Sequence, residues 1–157
     1  MEAEFTRYHD SWRRYADRSG SRSECCYRIH WSGDCFSPAY AYAMRRAMGH
    51  MAGKMRFWGY SRMPCTADIM LGAVNCSWYL SVDDATAPHV LGAFLGRHPG
   101  IARDATNLSV AYMSKVRPDT QMHFNTCPAD TGTIPYAGAC RICGGCIVGR
   151  PVWFKSK

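Results

Sequence analysis

The chain has 157 residues, a formal net charge of +7, and 47% hydrophobic against 20% charged residues. That balance belongs to a packed globular protein and excludes a disordered one, and the length suits a single domain that needs no disulfide staples to fold. No apolar run approaches the roughly 18 to 20 residues of a bilayer span. The N-terminal stretch is polar and amphipathic, so the expected location is a reducing cytoplasm with no membrane association. In that setting the nine cysteines, an odd count, read as thiols or metal ligands before disulfides.

Taken in order, residues 2–18 place Phe5, Tyr8, Trp12 and Tyr15 at spacings of three and four, the apolar stripe of an amphipathic helix that ends at Ser19-Gly20-Ser21. CCYRIHW (25–31) alternates and is rich in strand formers, then breaks at Ser32-Gly33-Asp34. Ser37 followed by Pro38 predicts a capped helix start, with the helix running to about Met51. MRFWGY (55–60) predicts the second strand, and Thr66 is the expected cap of a short helix reaching about Ala73. CSWYLSV (76–82) is the third strand, Pro88 to about Leu95 the third crossover helix, and NLSVAYM (107–113) the fourth strand.

Apolar strands separated by helices are buried on both faces, as in a parallel sheet. The expected architecture is therefore α/β: an N-terminal helix (1–20), a parallel sheet of four or more strands (25–116), and an irregular cysteine-rich lobe (117–157) docked by Pro151-Val152-Trp153-Phe154.

That lobe carries Cys127, Cys140, Cys143 and Cys146 in the pattern C-x12-C-x2-C-x2-C. Two-residue gaps let successive thiolates turn back onto one centre, with Gly144 and Gly145 relieving backbone crowding. Three cysteines at this gap match the run that wraps a cubane cluster in small ferredoxins, whereas zinc sites more often use two separated pairs. The reading is a metal centre, an iron–sulfur cluster (4Fe-4S) ahead of zinc. The remaining alternative is four merely buried or oxidised thiols. Cys25, Cys26, Cys65 and Cys76 are assigned to the core, and Cys35, beside the turn, is a minor functional candidate.

Parallel strands deliver the residues past their C-terminal ends to one edge. Here that edge collects His30, Ser32 and Asp34, then Tyr60, Ser61 and Arg62, then Ser81, Asp83 and Asp84, then Ser114, Lys115 and Arg117. Asp34, Arg62, Asp83 and Lys115 are the candidates for binding a small anionic substrate, with Asp34 placed to orient it or to hold Arg62. His30, inside a strand, reads as a core histidine. Between Cys35 and Ala67 the basic residues Arg45, Arg46, Lys54, Arg56 and Arg62 meet no acid in sequence. The first four of these are candidates for contacting nucleic acid, set against the plainer reading of a solvated helix face.

RIHWSGDCFSPAY, MRFWGYSR, WYLSVDDAT and the CP-to-CxxCxxC tail, in that order from Arg28 to Cys146, resemble the phage and plasmid "gene product 88" domain family. Its members look like small relatives of the radical S-adenosylmethionine barrels. The resemblance implies a partial (β/α) barrel with an iron–sulfur centre, acting in the host cytoplasm, and it supplies no substrate. Larger members carry a cysteine-containing segment where this chain has its first helix.

Two functions are expected to compete. One is a structural, redox-sensing or regulatory cluster protein that meets nucleic acid or a protein partner. The other is an iron–sulfur enzyme acting on a small anion at the sheet edge. A zinc-dependent nucleic-acid-binding module is a third reading, should the metal be zinc.

Overall fold

The computed structural model describes residues 1–21, 24–29, 37–103, 107–119, 122–135, 140 and 143–156, with the backbone alone at 102 and 103. His30, Ser32, Asp34 and Cys35, singled out from the sequence, lie outside the described residues. The elements are α1 (Glu2–Ser19), β1 (Cys26–Ile29), α2 (Pro38–Gly49), β2 (Arg56–Ser61), α3 (Pro64–Met70), β3 (Cys76–Asp83), α4 (Ala87–Arg97), a 3-10 turn (Pro99–Arg103), β4 (Leu108–Ser114), β5 (Asn125–Thr126) and β6 (Val152–Lys155). All strand pairs are parallel, in the order β1-β2-β3-β4-β6-β5. The sheet curls into a half-barrel, as the alternation of strands and helices predicts.

The core lies where the helices meet one face of the sheet. Phe57, Trp78, Leu80, Val82 and Val110 from the strands pack with Phe5, Met44, Met48, Met70 and Phe94 from the helices, all of them buried. β3 and β4 are buried along both faces, which is why they read as nearly continuous apolar runs. Ser37 caps α2 as expected, its side chain accepting the Tyr40 N–H at 3.2 Å. Among the described residues no helix is long and apolar enough to cross a membrane.

Several expectations are corrected. The stripe on α1 is narrower than its aromatic spacing suggests: Phe5 is buried and Trp12 packs on the core, but Tyr8 and Tyr15 are exposed. Tyr8 instead meets the Tyr27 ring edge-on and donates its hydroxyl to the Cys26 carbonyl. Thr66 is not the cap of α3. Pro64 takes the first helical position, which moves the cap and start three residues earlier, and the Thr66 hydroxyl donates to the Met63 carbonyl inside the first turn. Cys65 is exposed on α3 rather than in the core, while Cys25 and Cys76 are buried. The lobe is not wholly irregular either. It returns two strands to the sheet, and the segment expected to dock it is β6 itself, paired with β4 from Ala111↔Val152 to Ser114↔Lys155.

One close approach fixes the middle of the sheet. A Cβ added at Gly59 would stand 2.5 Å from Trp78 Cζ3, and Trp78 is fully buried. Gly59→Ala must displace that indole or bend β2, so it is expected to cost about 1–3 kcal/mol. Urea unfolding checks this, and an unchanged midpoint would contradict the packing described.

Candidate metal centre

The strand register sorts side chains onto two faces. Trp58 and Tyr60 of β2 lie beside Arg28, Ser77 and Tyr79 of the neighbouring strands, and Ala111 of β4 lies beside Val152 of β6. These residues alternate with the core residues above and so point away from the helices. On that inner face Tyr79, Ala111 and Val152 form a second buried cluster, and Tyr60, Phe154, Cys127 and Cys146 pack against it. The C-terminal lobe covers the face that the helices leave bare.

Backbone hydrogen bonds hold the lobe there. The Tyr79 hydroxyl lies 3.0 Å from the carbonyl oxygens of both Cys146 and Arg150 and shares its proton between them. The Ser77 hydroxyl donates to the Ile147 carbonyl at 2.7 Å. Cys127 is placed from the other side, directly after β5, with its N–H donating to the Trp153 carbonyl of β6 at 3.0 Å. Just after Cys143 the chain turns. Gly144 adopts φ 65°, its N–H bonding the Cys140 carbonyl at 2.9 Å, and that left-handed backbone is open to glycine at little cost.

The outcome is a cavity of about 50 Å³ whose wall includes Cys127, Cys140, Cys143 and Cys146 together with Pro128 and Arg150. Burial pushes the Cys146 thiol up to about 12; the Tyr60 hydroxyl, hydrogen-bonded to it, works the other way, and the other three cysteines add to the rise. Burial likewise raises Cys140, with Arg28 opposing and Cys127 and Cys143 reinforcing. Cys140 and Cys146 thus resist becoming thiolates by themselves. A bound metal centre reverses that preference. Among the described residues, no group of three or more Cys, His, Asp or Glu side chains stands as a ready-made ligand set for one ion. All four thiols line the same cavity, and an all-thiol donor set is chemically that of iron–sulfur clusters and of structural zinc.

The strand-end candidates resolve differently. Arg62 and Asp83 do come together, with Nη1 and Oδ2 3.5 Å apart. Asp83, however, is engaged by its own turn: its Oδ1 accepts the Thr86 N–H at 2.9 Å and the Thr86 hydroxyl at 2.8 Å. The Thr86 hydrogen bonds, more than Arg62, hold its carboxyl below the ordinary 3.8. Lys115 is exposed just past β4, and Arg117 donates to the Phe124 carbonyl. The basic stretch is likewise divided. Arg45 donates to the Ile69 carbonyl at the end of α3, and Arg56 faces Glu24 at 4.0 Å, an acid from outside the stretch, while Arg46 and Lys54 are exposed. Sequence reading passed over Arg28, Ser77 and Tyr79 as site residues. The available signal was polar residues at every second position inside strands otherwise made of core residues.

The family profile described as Gene product 88 matches residues 1–149, nearly the whole chain. The chain belongs to the Gene product 88 family. Among similar proteins of this family, the Gene 88 protein of Mycobacterium phage D29 is 33% identical over 135 residues, covering 79% of this chain and 51% of the relative. The Gene 88 protein of Mycobacterium phage L5 is 29% identical over 134 residues, with the same coverage. This Gene product 88 chain thus spans about half the length of the curated relatives it matches. No solved structure matches it.

Two outcomes test this geometry. Tyr79→Phe leaves the Cys146 and Arg150 carbonyls short of a donor, at a cost of about 1–3 kcal/mol. Amide exchange should quicken across residues 144–150 and stay unchanged in α1; uniform exchange in both would contradict the anchoring. Thr86→Val should raise the Asp83 titration midpoint, followed by carboxyl NMR, back toward 3.8. Because that pKa is depressed in the fold, the turn's contribution is complete above the unfolded value and is lost as pH falls through the folded one. An unmoved midpoint would mean that Thr86 is not the partner that matters.

Proposed function

We propose that this Gene product 88 chain is an iron–sulfur protein in which Cys127, Cys140, Cys143 and Cys146 hold a 4Fe-4S cluster with a structural, redox or regulatory role. The observation that carries the reading is that these four cysteines line one cavity, together with residues at the ends of β5 and β6. A cluster supplies one-electron chemistry and ties together chain segments that share it. Here the segments tied would be the end of β5 and the stretch that carries Cys140, Cys143 and Cys146. Three cysteines in succession at two-residue gaps favour a cubane cluster over zinc, whose sites more often use two separated pairs.

An enzyme acting on a small anion at the strand ends is the less supported reading, since Asp83 is committed to Thr86 and Arg62. A nucleic-acid partner for the basic stretch rests on Arg46 and Lys54 once Arg45 and Arg56 are engaged within the fold. The resemblance to radical S-adenosylmethionine barrels does not extend to their C-x3-C-x2-C loop, which is absent from the chain. Four thiolates also leave a cubane cluster no open iron, the mark of a closed site.

Each of Cys127→Ser, Cys140→Ser, Cys143→Ser and Cys146→Ser should therefore lower the iron content of anaerobically purified protein sharply, and Cys65→Ser should not. Equal loss from Cys65→Ser would sink the assignment. The dithionite-reduced protein should form no 5′-deoxyadenosine from S-adenosylmethionine. Formation above background would imply that one cysteine, Cys127 first, is not a ligand.

A further inference from the structure

A second cavity lies on the helix side of the sheet, where α1, β1 and α2 meet. Short-range patterns build it. Glu4 and Phe5 stand at the start of α1, Tyr27 and Ile29 share one parity of β1, and Tyr40 and Met44 are one turn apart on α2. Together they line a space of about 180 Å³. Phe5, Ile29 and Met44 are buried, Tyr27 and Tyr40 half-buried, and Glu4 exposed. The cavity is therefore apolar at depth and carries its charge at the mouth.

Its aromatic walls have a defined geometry. The Phe5 and Tyr27 rings meet edge to face, with centroids 5.3 Å apart and planes at 63°, and Phe57 backs Phe5 at 4.8 Å. Two rings held at such an angle form a corner, and Tyr40 brings a third ring to the same space. Glu4 is fixed at the edge, its Oε1 accepting the Tyr27 hydroxyl at 2.7 Å. That contact orients the carboxylate and leaves its charge in place. Glu2, two residues earlier, is met by His50 at 2.6 Å. Among the described residues, by contrast, no cation stands within ion-pair distance of Glu4. Nor does any Arg, Lys or His among them line the cavity.

Aromatic faces are negative and attract cations, the more so where water is excluded. One carboxylate offers too few oxygens for calcium or magnesium, which take about six or more. A bare inorganic ion would also lose its hydration against Phe5, Ile29 and Met44. An ammonium clothed in methyl groups loses little, because its surface is apolar and its charge is spread. A cavity of about 150 Å³ already holds a benzene-sized molecule, so a small cation fits whole. We propose that this cavity binds a small organic cation, an alkylated ammonium whose charge faces Glu4 and the rings of Phe5, Tyr27 and Tyr40. The site shares no lining residue with the cysteine cavity, so it does not depend on the iron–sulfur reading.

The probes are choline and its neutral isostere dimethylbutanol, in which carbon replaces the nitrogen. Each is titrated into full-length protein with isotope-labelled methionine methyl groups, and the Met44 resonance, assigned through Met44→Leu, reports occupancy from inside the cavity. Choline should shift that resonance saturably and bind about tenfold more tightly than the isostere. Glu4→Gln keeps an oxygen for the Tyr27 hydroxyl and removes only the charge, at an exposed position. It should weaken choline by about tenfold and leave the isostere unchanged. Tyr40→Leu should weaken choline more than the isostere, and Glu24→Gln, an exposed glutamate facing Arg56, should match wild type. A Met44 resonance that choline does not move saturably would overturn the proposal. So would equal affinity of wild type for the two probes, the mark of a merely apolar hole, or a Glu4→Gln variant that binds choline as wild type does. Should Tyr40→Leu fail to fold, the wild-type and Glu4→Gln titrations decide the matter by themselves.

Discussion

The hydroxyl of Tyr79 joins the two parts of this molecule. It rises from the middle of β3, within a buried cluster with Ala111 and Val152, and meets the carbonyls of Cys146 and Arg150. A buried phenol without a partner is costly, and so are buried carbonyls without a donor. Each side of that contact therefore requires the other. With Ser77 bound to Ile147, it places the last cysteine against the sheet and commits the lobe to the face that the helices do not cover. The half-barrel makes this necessary. A closed barrel fills its interior with its own side chains, whereas half of one leaves an inner face that something must cover.

The main frame was readable because its signals are local and repeated. β3 and β4 announce themselves as apolar runs, and Ser37-Pro38 marks a helix start whose cap is present in the fold. Assembly into a parallel sheet follows from the alternation of strand and helix. What escaped depends on distant partners. β5 has two residues and β6 four, in a glycine- and proline-rich setting, and both become strands only by lying beside each other and β4. Thr66 carries the side chain of a cap, but the proline two residues before it decides where the helix begins. The charge asymmetry of residues 35–67 is partly met for a similar reason, since Glu24 faces Arg56 and the carbonyl of Ile69 accepts from Arg45, while Arg46 and Lys54 stay exposed.

The candidate site was half legible. The cysteine spacing pointed to a centre, and the fold brings those four thiols to one cavity. The strand-edge rule pointed elsewhere, toward Arg62, Asp83 and Lys115, where the fold shows a turn held by Thr86 and an ion pair. Asp34, the sharpest candidate at that edge, lies outside the described residues. The rule identifies where loops gather, but the contents of the inner face depend on side-chain parity within the strands. Arg28, Tyr60, Ser77 and Tyr79 share one parity, and that parity faces the cysteines. Binding a metal centre there would couple the lobe to the sheet, because the same residues that hold the backbone of Cys146 also determine the surroundings of its sulfur.

The central claim is that these four thiols surround a polynuclear iron centre. The most direct measurement is the visible absorption of anaerobically purified wild-type protein, taken with its iron, acid-labile sulfide and zinc content. The account predicts a brown protein with broad thiolate-to-iron absorption and with iron and sulfide in equal amounts. A colourless protein holding stoichiometric zinc, or no metal at all with four free thiols, would contradict it.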